Sequence, residues 1–149
     1  MAISRVHILL IEDYGEFREL LTGFLEEEGY RVTAVASGEQ AIEAAHADAV
    51  DLVIADVKLG GMDGLDALSR IKDHQSDLQG LVMTGYSTEA DSIRAVKLGV
   101  GNYLKKPFTI KDFLRAVESL VQRILEEREV RERELALLET LGWALQSVL

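Results

Sequence analysis

Five short runs of apolar or β-branched residues alternate along this chain with segments whose apolar residues recur at helical spacing. That alternation restricts it to repeated strand-helix-strand units around a parallel sheet. The first run, Val6 to Ile11, is apolar apart from His7, which is expected to be packed or edge-exposed rather than a ligand. Phe17, Leu20, Leu21, Phe24 and Leu25 mark one face of a helix from Tyr14 to Glu28, and Gly29 stops it. Arg31 to Val35 alternates in character, as a strand with one less buried face does. Ser37 with Gln40 three residues on is a capping-box signature that opens a second helix through Ala41, Ile42 and Ala45. The run Asp51 to Ala55 ends in a lone carboxylate, Asp56, and a loop from Lys58 to Gly64 leads into a third helix carrying Leu65, Leu68 and Ile71. Leu81 to Thr84 is a fourth strand. A fourth helix, about Ala90 to Leu98, has a weak apolar face in Ile93 and Val96 and is expected to be loosely held. A fifth strand, Asn102 to Lys105, precedes the only proline, Pro107, and a fifth helix that starts at Ile110.

Strands buried on both faces read as continuous apolar runs, so the first, third and fourth belong in the centre and the more polar second and fifth at the edges. With right-handed crossovers the order is 2-1-3-4-5, that of a flavodoxin-like doubly wound α/β fold with helices on both faces. A chain of 149 residues, 48% of them apolar, can bury a core of this kind. It has no cysteine, which rules out disulfides and thiolate metal sites and suits a reducing, cytoplasmic location. No apolar stretch is long enough to span a membrane, and the run after Val6 is too short for an export signal. The net charge of -10 argues against direct nucleic-acid binding, which draws on clustered Lys and Arg.

In open α/β sheets, ligands bind beyond the carboxyl ends of the strands. Asp56 lies at such an end, where a turn aspartate is also common. In the order above, Glu12 and Asp13 after the first strand, Asp56 and Thr84 meet at the same edge, with Lys106 nearby. Carboxylates crowded in this way repel one another unless a cation intervenes, so the arrangement suits a hard divalent ion, Mg²⁺ by preference, and a lysine.

These residues carry a resemblance. Glu12-Asp13, Asp56, Gly64, Thr84-Gly85 and Tyr103-Leu104-Lys105-Lys106-Pro107-Phe108 stand in the order and spacing of the receiver domain of two-component response regulators, over about residues 4 to 125. The resemblance implies that Asp56 is the phosphoacceptor, taking its phosphoryl group from a phosphohistidine on a histidine kinase or phosphotransfer protein. It implies that Asp13 and Asp56 bind Mg²⁺ directly, Glu12 directly or through water, and Lys58 through its carbonyl oxygen. Lys106 would pair with the phosphoryl group, Thr84 would donate a hydrogen bond to it, and Tyr103 would be the aromatic that follows Thr84 in the switch. The Lys106-Pro107 bond would be cis. Lys58 and Tyr86 fall where the family tunes dephosphorylation, and a bulky Tyr86 suggests a long-lived phosphoryl group. The pattern departs from the family at Leu59-Gly60, where a Met-Pro pair is common.

Two rival functions fit less well. Haloacid dehalogenase-like phosphotransferases carry their nucleophile after the first strand in an Asp-x-Asp pattern, which Glu12-Asp13 does not match, and there is no insertion long enough for a cap. A flavin carrier needs a loop that accepts phosphate, whereas Glu12-Asp13-Tyr14-Gly15-Glu16 is acidic. The receiver is expected to be a signalling domain rather than an enzyme with an external substrate, either stand-alone or the amino-terminal module of a larger sensor or output protein.

The expected domain is residues 1 to 125, with a helical extension over 126 to 149. Residues 126 to 134 contain neither glycine nor proline, and Glu127 with Arg131 and Glu129 with Arg133 form i, i+4 pairs in the favourable orientation. Beyond them Leu135, Leu138, Leu141, Leu145, Val148 and Leu149 make an apolar stripe with Trp143 beside it. A lone helix cannot bury that stripe, so the extension is expected to pair in a homodimer or bundle, with a helix folded back on its own domain as the alternative.

Overall fold

The computed structural model describes residues 6–85 and 88–148. Its elements run β1 (His7–Ile11), α1 (Gly15–Glu27), β2 (Arg31–Val35), α2 (Gly38–Ala47), β3 (Leu52–Asp56), α3 (Gly64–His74), β4 (Gln79–Thr84), α4 (Glu89–Lys97), β5 (Asn102–Lys105) and α5 (Ile110–Val148). All strand pairs are parallel and the sheet order is β2-β1-β3-β4-β5, as the hydrophobic patterning requires. Successive strand residues point to opposite faces, so β1 divides its side chains between two cores. Ile8 and Leu10 join Leu21, Phe113, Val117 and Leu120 beneath α1 and α5, while Leu9 and Ile11 join Leu65, Leu68 and Ile71 beneath α2 and α3.

Local signals act where they were expected, with one difference of detail. Gly29 adopts φ 98°, a left-handed conformation that ends α1. The Ser37 side chain accepts from the Gln40 N–H at 3.1 Å, but the Gln40 side chain reaches back to the Ala36 N–H instead of that of Ser37. His7 is a packed core histidine. Its Nδ1–H donates to the Ala49 carbonyl at 2.7 Å, which leaves Nε2 to accept the Thr33 hydroxyl at 2.7 Å.

The fourth helix differs from expectation. Its apolar face is indeed poor, with Ile93 48% and Val96 80% exposed, yet polar contacts fix it firmly. Thr88 and Asp91 form a complete capping box at its start. Arg94 binds Asp63 at 2.9 and 3.2 Å and Asp66 at 2.6 Å, and Lys72 donates to the Leu98 carbonyl at 2.6 Å, so the last turn of α4 is tied to both ends of α3.

The fifth helix continues unbroken for 39 residues and does not fold back. Glu129 pairs with Arg133 as expected. Arg131 pairs with Asp77 at 2.9 Å rather than with Glu127, and Arg128 pairs with Asp51, so the first turns past Leu125 are tied to the base of the sheet. From Glu129 to Ser147 every residue is exposed, including Leu135, Leu138, Leu141 and Leu145. No helix among the described residues is long and apolar enough to cross a membrane.

Candidate functional site

The site forms where the parallel strands deliver their last residues to one edge. Glu12 and Asp13 follow β1, Asp56 is the last residue of β3, Thr84 the last of β4, and Lys106 follows β5. Backbone bonds set their positions: the Glu12 N–H donates to the Val35 carbonyl at 3.1 Å, and the Lys106 N–H donates to the Thr84 carbonyl at 2.7 Å. Arg18, one turn into α1, donates to the carbonyls of Glu12 at 2.9 Å and Asp13 at 3.4 Å and so pins the acidic pair. The Lys106-Pro107 bond is cis.

Carboxylate oxygens of Glu12, Asp13 and Asp56 lie within 4.8 Å of one another. The Lys106 ammonium sits between two of these groups, donating to Asp56 Oδ2 at 2.6 Å and to Glu12 Oε1 at 2.9 Å. Its Nζ also lies 4.9 Å from the centre of the Phe17 ring, a cation-π distance. Asp56 Oδ1 accepts the Lys58 N–H at 3.0 Å. The charges differ in burial. Glu12 and Asp56 are buried and Thr84 fully so, whereas Asp13 and the Lys58 side chain are exposed.

This burial shapes the titration of the site. Desolvation pushes the Glu12 carboxyl above its ordinary range; the hydrogen bond and charge of Lys106 oppose it without cancelling it, and the charges of Asp56 and Asp13 add to the rise. Burial also works against the Lys106 ammonium, but its hydrogen bonds to Asp56 and Glu12 outweigh it and hold the lysine above its usual value. Glu12 Oε2 is buried and makes no hydrogen bond. A buried carboxylate oxygen without a donor, beside two more carboxylates, is a donor set that suits a hard divalent ion.

The site opens into a cleft of about 470 Å³ lined by Glu12, Asp13, Asp56 and Lys106 on its polar side and by Tyr14, Phe17, Pro107 and Phe108 on its apolar side. Gly64 lies directly against the end of β3. A Cβ added there would stand 2.0 Å from the Asp56 carbonyl oxygen, so only glycine allows α3 to start this close to the strand end. Tyr103 is half-buried against the core beneath α3 and α4, and its hydroxyl is buried without a hydrogen bond. Tyr86, expected to tune the site, lies outside the described residues. The sequence reading missed Arg18 and Phe17 as supports. Arg18 falls one helical turn after the acidic pair, which is the signal that could have identified it.

The sheet order and its carboxylate-lined edge place the chain among flavodoxin-like doubly wound folds. The family model of the response regulator receiver domain matches residues 8–118, and the chain belongs to that family. It is 30% identical over 118 residues to the response regulator SaeR of Staphylococcus epidermidis, which covers 79% of this chain and 51% of that protein. The chain thus spans about half the length of the curated relatives it matches. Among solved structures, the non-phosphorylated HemR receiver domain of Leptospira biflexa superposes with a TM-score of 0.74 at 31% identity, covering 78% of this chain and 94% of that one. The response regulator TrrA of Thermotoga maritima, in complex with Mg²⁺ and BeF, gives a TM-score of 0.69 at 29% identity, covering 77% of this chain and 98% of that one. The chain is a receiver domain of two-component response regulators, a signalling domain.

Proposed function

We propose that Asp56 accepts a phosphoryl group from a phosphohistidine on a histidine kinase or phosphotransfer protein, and that the phosphoryl group then changes the surface near α4 and β5. One arrangement carries this reading: three carboxylates within 4.8 Å at the mouth of a cleft, two of them bridged by the Lys106 ammonium. A carboxylate oxygen of Asp56 attacks phosphorus, and the P–N bond to the donor imidazole breaks with its electron pair left on the ring nitrogen, which takes up a proton. Asp56 becomes an acyl phosphate. Lys106 meets the phosphoryl oxygens as a point charge, and Thr84 donates its hydroxyl to one of them. Glu12, Asp13, Asp56 and the Lys58 carbonyl would hold Mg²⁺, which when bound neutralises charge on the transferred group. Tyr103 follows Thr84 as the switch aromatic, and its hydroxyl, buried without a partner, supports a side chain that changes its surroundings. Lys58 and Tyr86, two residues after Asp56 and Thr84 in the sequence, stand at the positions where the family tunes dephosphorylation, and they set the phosphoryl lifetime. No turnover of an external substrate is part of this function beyond self-catalysed phosphorylation and dephosphorylation.

The same reading gives a receiver over residues 1 to 125 and a helical extension over 126 to 149, whose exposed leucines pair with a second copy. The absence of cysteine supports a cytoplasmic location, and the net charge of -10 supports a protein that does not itself bind nucleic acid. Intact-mass measurement after incubation with acetyl phosphate or phosphoramidate tests the central claim. A phosphoadduct should form with Mg²⁺ and be absent in chelator and in Asp56→Asn. An adduct formed equally in all three refutes the site.

A further inference from the structure

We propose that Arg94 is a positioning residue that carries the state of Asp56 to α4 through the start of α3, in parallel with the route through Thr84 and Tyr103. This rests on the reading of Asp56 as phosphoacceptor and adds a second connection to it.

The route begins at the strand end. Gly64 is the first residue of α3; its N–H donates to the Val57 carbonyl at 3.0 Å, and its Cα faces the Asp56 carbonyl so closely that no side chain fits between them. Any shift of the Asp56 backbone therefore presses directly on the first turn of α3. The residue before Gly64 is Asp63, the N-cap of that helix, whose Oδ1 accepts the Asp66 N–H at 2.8 Å. The cap orients this carboxylate, and both of its oxygens are bound by the Arg94 guanidinium, at 2.9 and 3.2 Å. Arg94 also reaches Asp66 at 2.6 Å and, within its own helix, Asp91 at 3.5 Å. One guanidinium thus joins three carboxylates from two helices, with the two-point geometry that fixes direction as well as distance.

The pairing matters because α4 has little else to hold it. Only Asp91 and Ala95 of its residues are buried, and Val96 is 80% exposed. Lys72 adds a second hold on the same last turn by donating to the Leu98 carbonyl. Held to both ends of α3 through its last turn, α4 moves with α3, and α3 starts against Asp56.

Hydrogen exchange over Glu89–Lys97 with and without beryllofluoride and Mg²⁺, a stable stand-in for the phosphoryl group, tests this, with ¹⁹F NMR reporting occupancy independently. Parent protein should bind and change the exchange rate of α4. Arg94→Gln should bind with an affinity within about threefold of parent, while the ligand-induced change in α4 exchange falls to about half or less. A purely structural role would speed α4 exchange alike in both states and leave their ratio unchanged. Arg94→Gln occupied by ligand and responding as parent does overturns the proposal. Should that variant fold poorly, Arg94→Lys keeps the charge but loses the two-point contact with Asp63; an unchanged α4 response there overturns it too. Failure of the parent to bind beryllofluoride refutes the phosphoacceptor reading instead, and this inference with it.

Discussion

Gly64→Ala places one methyl group where the structure has no room for it. The added Cβ would lie 2.0 Å from the Asp56 carbonyl oxygen, 2.8 Å from its carbon and 3.2 Å from Ala55 Cβ. The oxygen belongs to backbone in the central strand β3 and cannot rotate away, so the first turn of α3 must retreat by about 1 Å or more to reach a tolerable contact. Overpacking of this kind costs about 1–3 kcal/mol. The retreat also stretches the 3.0 Å bond from the Gly64 N–H to the Val57 carbonyl, whose loss costs about 1 kcal/mol more. Replacing glycine by alanine recovers up to about 1 kcal/mol from the unfolded chain, which leaves a net loss of about 2 kcal/mol. For a chain of this length that lowers the melting temperature by about 4–8 °C. Beryllofluoride binding should weaken as well, because Asp56 shifts. Thermal unfolding followed by circular dichroism measures the first effect, with Gly60→Ala as the comparison. Nothing lies within 4 Å of a Cβ at Gly60, and its stability should change by no more than about 0.5 kcal/mol. If Gly64→Ala melts with Gly60→Ala, the close approach of α3 to the strand end is wrong.

Glu12→Gln should raise the melting temperature of the metal-free protein at pH 7. Burial holds the Glu12 carboxyl above its usual range, so that group contributes stability below its unfolded value of about 4.3 and withdraws it as the pH rises through the folded one. The advantage of the variant should shrink on acidification, and Mg²⁺ should stabilise the parent more than the variant; a pH-independent difference refutes this. Arg94→Gln should behave oppositely. Burial pushes the Asp63 carboxyl up, but the hydrogen bonds from Arg94 and the Asp66 N–H hold it below the usual range. The stability gained is present above about 3.9 and lost as the pH falls through the folded value, so parent and variant should converge in acid unfolding curves. Trp143, the only tryptophan, is 70% exposed on the extension. Its emission should shift to shorter wavelength as concentration rises and the extensions pair, while Leu138→Glu should keep it red-shifted and monomeric by light scattering; a parent that stays monomeric at high micromolar concentration removes the dimer.

The fold was legible because burial leaves periodic traces. Strands covered on both faces read as unbroken apolar runs, the edge strands Arg31–Val35 and Asn102–Lys105 did not, and the order β2-β1-β3-β4-β5 followed from that contrast. Bringing Glu12, Asp13, Asp56, Thr84 and Lys106 to one edge needed only that order, since each lies at or just past a strand end. What escaped the reading was polar and long-range. Arg94 and Asp63 are 31 residues apart, and nothing in their neighbourhoods marks them as partners, so a helix with a poor apolar face was taken to be loose. Arg131 illustrates the same limit: the local rule offered Glu127, one turn away on the same helix, yet the structure pairs it with Asp77 from the other side of a cleft. Thr88 followed by Asp91, by contrast, is a local cap that the same rules could have identified.

The pair between Arg128 and Asp51 has a mechanical meaning. Asp51 immediately precedes β3, and Asp56 ends it, so the strand that bears the carboxylate of the site is grasped at its foot by the long helix. Beyond Arg131 that helix runs free for about 25 Å. It is a lever whose fulcrum is the base of the sheet: each degree of tilt at Asp51 and Asp77 swings its tip by about 0.4 Å, given the rise of about 1.5 Å per residue along the free arm. A tilt of about 7° would displace the far end, with its exposed leucines, by about 3 Å, the width of an atom.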